Sequence, residues 1–199
     1  MKLYLANIRE LEPRHETLAP KDRIEKAKRY KLPDDRKRCI AGGILLSKFL
    51  DGAEISENEF GKPISSDGRE FNLSHSGDWV LLALDSNEIG CDIEKVQFVK
   101  YEDMGKFVFC ENEMHRLKSS PDRAGAFFEL WTKKEALLKC MGKGFHRGAK
   151  SVDVSGDCFD DSGKKYYMKT FNFSDYTISV CSVKNDFARH IEFVDFKEL

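Results

Sequence analysis

The sequence predicts an α+β protein built from two comparable lobes. Each half of the chain holds helical patterns together with short segments that read as a mainly antiparallel sheet. The 199 residues suffice for one large domain or two small ones with a sizeable core. The halves divide as 1–98 and 99–199. No Pro/Gly linker occupies 96–102, so the lobes are expected to pack closely.

Each element follows from local pattern. Lys2 to Ile8 alternates apolar and polar residues and reads as a strand. Pro20 to Tyr30 is a basic helix with proline at its first turn. Pro33 opens a second helix, with Asp34 and Asp35 where the dipole favours acids, and it runs through Leu46 and Phe49 to Gly52. Phe71 to Leu73 reads as a short extended piece followed by a turn at Ser74, His75, Ser76 and Gly77. Trp79 to Leu84 and Ile89 to Glu94 are apolar strands joined by a polar turn at Asp85, Ser86 and Asn87. In the second half, short amphipathic helices cover Tyr101 to Phe109 and Glu111 to Leu117. A long helix covers Asp122 to Met141, ended by Gly142 and Gly144. Strands are expected at Lys150 to Val154, Lys165 to Phe173, Tyr176 to Val183 and His190 to Phe196.

Composition narrows the class. Charged residues make up 34% of the chain, above the roughly 25% of ordinary soluble domains, yet the net charge is −1. That balance argues against a nucleic-acid binder. No apolar run approaches the ~20 residues of a membrane span, and the start MKLYLANIRE lacks the features of a signal peptide. The six cysteines are scattered with no C-x-x-C pair, which favours reduced thiols over disulfides or zinc and a cytoplasmic setting.

Two acidic stretches carry the chemistry. In Ile89-Gly90-Cys91-Asp92-Ile93-Glu94-Lys95, strand alternation puts Asp92 and Glu94 on one face and Cys91 and Ile93 on the core side. In Trp131-Thr132-Lys133-Lys134-Glu135-Ala136-Leu137-Leu138-Lys139, Glu135 offers a third carboxylate if its helix crosses that strand. Three hard oxygen donors suit Mg²⁺ shared with a substrate phosphate. Each part also has an ordinary reading. Asp92 and Glu94 can be a solvated strand end beside Lys95, and Glu135 and Lys139 an i,i+4 surface pair of ~0.2–0.5 kcal/mol. The segment Asn72-Leu73-Ser74-His75-Ser76-Gly77 can donate to a phosphate or cap its own turn. Arg23 and Lys26 share a helix face able to clamp a terminal phosphate, or form a solvated basic face. Gly142-Lys143-Gly144 is no P-loop, since it follows a helix; Lys143 can still face an anion. No G-x-S-x-G is present, which argues against a Ser–His–Asp hydrolase.

Taken together, FGKP at 60–63, FNLSHSG at 71–77, IGCDIEKV at 89–96 and LWTKKEALLKCMGKGF at 130–145 closely resemble the surfactin-synthetase-type 4′-phosphopantetheinyl transferases. The length fits the two-lobed members. The resemblance implies two similar α+β lobes related by a pseudo-two-fold axis, with coenzyme A in the cleft between them. Asp92, Glu94 and Glu135 would ligate Mg²⁺, and Lys139 would pair with a phosphate oxygen. His75, Ser74, Arg23 and Lys26 would hold the 3′-phosphate, and Lys62 would line the adenine pocket. Glu113 falls at a proposed general base. The implied reaction moves phosphopantetheine from coenzyme A to a serine of an apo acyl or peptidyl carrier protein, by a monomer. Carrier proteins are generally acidic, which makes Arg116, Lys118 and Lys133 candidates for a docking rim. Cys39 stands where the family has a hydroxyl, and Arg23 where a related member has lysine. The alternatives are a non-catalytic coenzyme A or nucleotide-binding module and a Mg²⁺-dependent pyrophosphohydrolase.

Overall fold

The computed structural model describes residues 1–142 and 148–199. The expectations for Lys143 and Gly144 lie outside the described residues. The strands are β1 (Lys2–Asn7), β2 (Ile55–Glu57), β3 (Pro63–Ser65), β4 (Glu70–Ser76), β5 (Trp79–Asp85), β6 (Ile89–Lys95), β7 (Cys158–Asp161), β8 (Lys164–Phe173), β9 (Tyr176–Ser182) and β10 (Glu192–Val194). The α-helices are α1 (Lys21–Ala27), α2 (Pro33–Phe49), α3 (Tyr101–Val108), α4 (Glu111–Ser119) and α5 (Arg123–Met141). No helix of the described residues is long and apolar enough to cross a membrane.

Two four-stranded sheets, ordered β10-β1-β5-β4 and β6-β9-β8-β7, form the body. The runs β1-β5-β4 and β6-β9-β8 share one topology, antiparallel at every step. Each sheet carries one long helix, α2 of 17 residues or α5 of 19. This is the expected pair of similar lobes. Strand alternation sorts the core into layers. Leu3, Leu5, Leu81 and Ala83 of the first sheet meet Ile89, Cys91, Ile93, Ile178 and Val180 of the second. The opposite faces receive the helices: Tyr4, Val80 and Leu82 pack with Ile40, Ile44 and Leu45 of α2, while Met168 and Cys181 pack with Ala136, Leu137 and Cys140 of α5. The order is therefore helix, sheet, sheet, helix. Leu81 is fully buried at the central layer, and its truncation to alanine is expected to cost ~2–5 kcal/mol.

Two expectations are corrected, and the pairing of β6 is new. Residues 89–95 follow β5 through the polar turn, but β6 crosses to the second sheet and pairs with β9. The chain end also crosses back, because β10 lies parallel to β1. Ser74 to Ser76 continue strand β4 instead of turning; the turn begins at Gly77, φ +53°. The strand expected at 150–154 is a 3₁₀ turn at Ala149–Ser151 followed by irregular chain.

Candidate active site

The site lies on the seam between the lobes. Gly90 decides how closely α5 approaches β6, since a Cβ there would collide with the Ala136 carbonyl oxygen and the Cys140 nitrogen. This contact brings Glu135 and Lys139 over Asp92 and Glu94. Lys139 Nζ donates to Asp92 Oδ1 at 2.6 Å, to the Cys91 carbonyl at 3.2 Å and to Ser74 Oγ at 3.3 Å. Burial alone pulls the Lys139 ammonium down, but Asp92 and Glu135 more than offset this and hold it above its ordinary value. Burial raises Glu94 and Glu135 above the ordinary glutamate value. Ser76 and Lys139 oppose the rise at Glu94, and Lys139 opposes it at Glu135; Asp92 adds to it at both. Glu94 adds to it at Glu135. The three carboxylates are thus electrostatic neighbours beside one lysine.

These residues fit a divalent ion. Among the described residues, Asp92 Oδ2 is the one buried side-chain oxygen or nitrogen without a hydrogen-bond partner. A 4%-exposed aspartate leaves such an oxygen bare at high cost unless a cation meets it. The trio is not contracted to within 4.8 Å, unlike Cys110, Glu113 and Asp153. Instead, Asp92 Oδ1 turns to Lys139, and Glu94 Oε2 accepts from Ser76 Oγ at 2.8 Å.

Ser74 faces the seam: its hydroxyl donates to Asp92 Oδ1 at 2.7 Å and accepts the Ile93 N–H at 3.3 Å. Alternation along β4 turns His75 to the other face, where Arg23, Lys26, Arg38 and His75 line one cavity of about 160 Å³. Close packing of α1 on α2 places Arg23, because a Cβ on Gly43 would press on its stem at 2.9 Å. Arg38 donates to the Gly77 carbonyl at 2.6 Å, pinning the end of β4. Burial, with Arg38 beside it, lowers the His75 imidazole below its ordinary value. Cys39 also lines this cavity, its thiol pointing to the Arg23 carbonyl at 3.6 Å. Arg38 belongs to the basic run of the sequence, but nothing in its spacing separated it from Arg36 and Lys37.

Lys62 ties the lobes together. Its ammonium reaches Glu70 at 3.2 Å, the Ile89 carbonyl at 3.3 Å and the Cys140 carbonyl at 3.4 Å, near the C-terminal end of α5. It also lines a cavity of about 300 Å³ with Glu135 and Lys139. Pro63 joins that space to a cavity of about 780 Å³, which shares Arg23 and Lys26 with the cationic pocket. The three cavities thus share lining residues between the cationic pocket and the carboxylates.

Glu113, the expected base, lies in the interior of the second lobe. It is 0% exposed. Its oxygens accept the Cys110 N–H and the Val154 N–H, each at 2.8 Å, and it pairs with buried Lys134 at 2.7 Å. Lys134 also serves the Ala149 and Val152 carbonyls, so the pair fastens α4 and α5 to the chain at 149–154. Lys134 already supplies the positive charge there, and every oxygen of Glu113 is committed. Two of the docking candidates fall as well: Lys133 is buried between Glu129 and Asp157, and Arg116 is held by Glu129 and the Ser155 carbonyl.

Comparison with known proteins agrees with this geometry. Residues 88–191 match the 4′-phosphopantetheinyl transferase superfamily. The chain is similar to the 4′-phosphopantetheinyl transferase Sfp of Bacillus subtilis (strain 168), at 33% identity over 202 residues, covering 92% of this chain and 89% of that one. It is similar also to 4′-phosphopantetheinyl transferase psf-1 of Bacillus pumilus, at 30% over 220 residues, covering 96% and 94%. A solved holo-[acyl-carrier-protein] synthase (AcpS) of Thermotoga maritima is a distant likeness, at 16% identity and TM-score 0.38 over 47% of this chain and 61% of that one. With a family match over half its length and relatives aligned along nearly all of it, the chain belongs to the 4′-phosphopantetheinyl transferase superfamily.

Proposed function

We propose that the protein transfers the 4′-phosphopantetheine arm of coenzyme A to a serine hydroxyl of an apo acyl or peptidyl carrier protein, releasing adenosine 3′,5′-bisphosphate. The bare Asp92 Oδ2, with Glu94, Glu135 and Lys139 as its charged neighbours, carries this reading. Arg23, Lys26 and His75 bind the 3′-phosphate in a pocket where Arg38 is held by Asp35 and the Gly77 carbonyl, and Lys62 and Pro63 line the neighbouring cavity. Asp92, Glu94 and Glu135 would hold Mg²⁺, which neutralises charge on the diphosphate when bound.

The serine oxygen attacks the β-phosphorus, and the bond to the bridging oxygen breaks. Positioning and charge stabilisation dominate such a transfer. Lys139 stands ready to exchange Asp92 for a phosphate oxygen, since its ammonium already reaches three acceptors on the seam. The serine proton leaves to a carboxylate of the site or to a water.

The acceptor docks beside β6. Directly after Glu94 the chain exposes Phe98 (88%), then Met104 and Phe107 (81%) on α3. Exposed Lys100 and Lys106 lie next to them in sequence and complement an acidic helix. Phe107→Asp is expected to raise KM for the carrier and leave KM for coenzyme A unchanged. Because one chain supplies both halves of the seam, it acts as a monomer, and its free thiols suit a reducing cytoplasm.

The test is incubation with coenzyme A, Mg²⁺ and an apo carrier protein, followed by intact mass of the carrier and measurement of released bisphosphate. A mass gain of one phosphopantetheine supports the reading. Bisphosphate without modified carrier selects a pyrophosphohydrolase. Neither product selects a binding module.

A further inference from the structure

The facing edges of the two sheets are closed by side chains. β6 is an edge strand whose backbone pairs only with β9, and β4 is the edge of the other sheet. The outward N–H groups of β6 recur at every second residue, as antiparallel pairing requires. They are received by every second side chain of β4: Cys91 N–H by Asn72 Oδ1 at 2.9 Å, Ile93 N–H by Ser74 Oγ at 3.3 Å, and Lys95 N–H by Ser76 Oγ at 3.1 Å. The two serines also spend their protons across the seam, Ser74 on Asp92 and Ser76 on Glu94.

A serine hydroxyl has one proton to give. At Ser76 an incoming N–H fixes the oxygen, and the proton is thereby aimed at Glu94 Oε2 at 2.8 Å. Buried Ser74 does the same for Asp92. The same hydroxyls that bind lobe to lobe therefore set where the carboxylates stand.

We propose that Ser76 is a positioning residue for Glu94, so that divalent-ion affinity is coupled to closure of the β4–β6 seam. This rests on the reading that Asp92, Glu94 and Glu135 hold the ion. Partners that orient metal ligands commonly contribute 10–100-fold in affinity. Coupling is reciprocal, so ion binding tightens the seam in return.

Mn²⁺ binding is measured by electron paramagnetic resonance, with coenzyme A present and no carrier, on wild type, Ser76→Ala, Ser76→Thr and Asp92→Asn. Exchange of the Lys95 amide is followed on the same proteins. The expectation is about a tenfold or greater loss of Mn²⁺ affinity in Ser76→Ala, faster Lys95 exchange, and recovery of both in Ser76→Thr, which keeps the hydroxyl. Mn²⁺ should slow Lys95 exchange in wild type. Unchanged Mn²⁺ affinity in Ser76→Ala, with affinity lost in Asp92→Asn, overturns the role of Ser76 and leaves the metal site standing. Unchanged affinity in Asp92→Asn, or no Mn²⁺ uptake by wild type, overturns the metal reading and this inference with it.

Discussion

The two lobes share a topology and differ in what they do with it. In the first, α1, α2 and β4 surround a pocket lined by Arg23, Lys26, His75 and Arg38, the last of which is paired with Asp35. In the second, the corresponding α4, α5 and β8 surround a polar cavity of about 440 Å³ that contains Arg116, but Glu129 neutralises it at 2.7 Å. Thr170 and Asn172 line the β8 wall where β4 presents Leu73 and His75. The first strands reverse the contrast: β1 offers Tyr4 and Ala6 to its helix, whereas β6 offers Asp92 and Glu94 to α5. Each lobe has kept one half of a site and filled the other half with apolar contacts or closed ion pairs. The asymmetry is chemical, and the scaffold is common to both.

The strongest way to break this comparison is to neutralise the acidic half. Asp92→Asn keeps the shape but removes the charge, and transfer is expected to fall about a thousandfold or more, several kcal/mol of barrier. Near-native circular dichroism with near-wild-type turnover would falsify the assignment.

Glu113→Gln probes the second lobe's interior instead of its chemistry. Removing one partner of a buried ion pair typically costs about 3–5 kcal/mol, a Tm loss on the order of 10 °C. The Michaelis constant for coenzyme A should stay where it was in the remaining folded enzyme. A variant with wild-type stability and a collapsed kcat would restore Glu113 as a base.

The matched pockets are compared directly by paired substitutions. Arg23→Ala with Lys26→Ala should raise KM for coenzyme A about 10–100-fold, as expected for two charge-assisted contacts of ~1.5–3 kcal/mol partly screened by solvent. The same double variant should scarcely affect 3′-dephospho-coenzyme A. Arg116→Ala, in the neutralised counterpart, should leave both constants alone. Equal effects from the two pockets would erase the distinction.

The smallest effect concerns protons. His75 sits below its ordinary value in the free protein, from burial and from Arg38. A bound phosphate dianion raises it, so binding takes up a fraction of a proton near neutral pH. Affinity for coenzyme A is then highest below the free imidazole's pKa and declines as pH rises through the bound one. Calorimetry in buffers of different ionisation enthalpy reads the uptake; zero uptake, or equal uptake with 3′-dephospho-coenzyme A, removes His75 from the phosphate.

Much of this site was legible in the chain. Period-two alternation was enough to put Asp92 and Glu94 together and Cys91 and Ile93 in the core. Helical spacing put Glu135 and Lys139 on one face. Ser74 and Ser76 were misjudged because a strand of polar residues resembles a turn when its hydrogen-bonding partner is a sheet edge of the other lobe. The burial of Glu113 was not legible because it depends on Lys134 and the Val154 amide, contacts separated by 21 and 41 residues.

The sequence by itself determined the two-lobed α+β class, the basic helix and the shared face of Asp92 and Glu94. These follow from short-range periodicity and capping, which neighbouring residues decide among themselves. Only the tertiary structure decided which lobe receives β6, which hydroxyls close the seam and which charges are already paired. Those outcomes depend on long-range burial and on donors meeting acceptors, and a buried polar group's partner can lie anywhere along the chain.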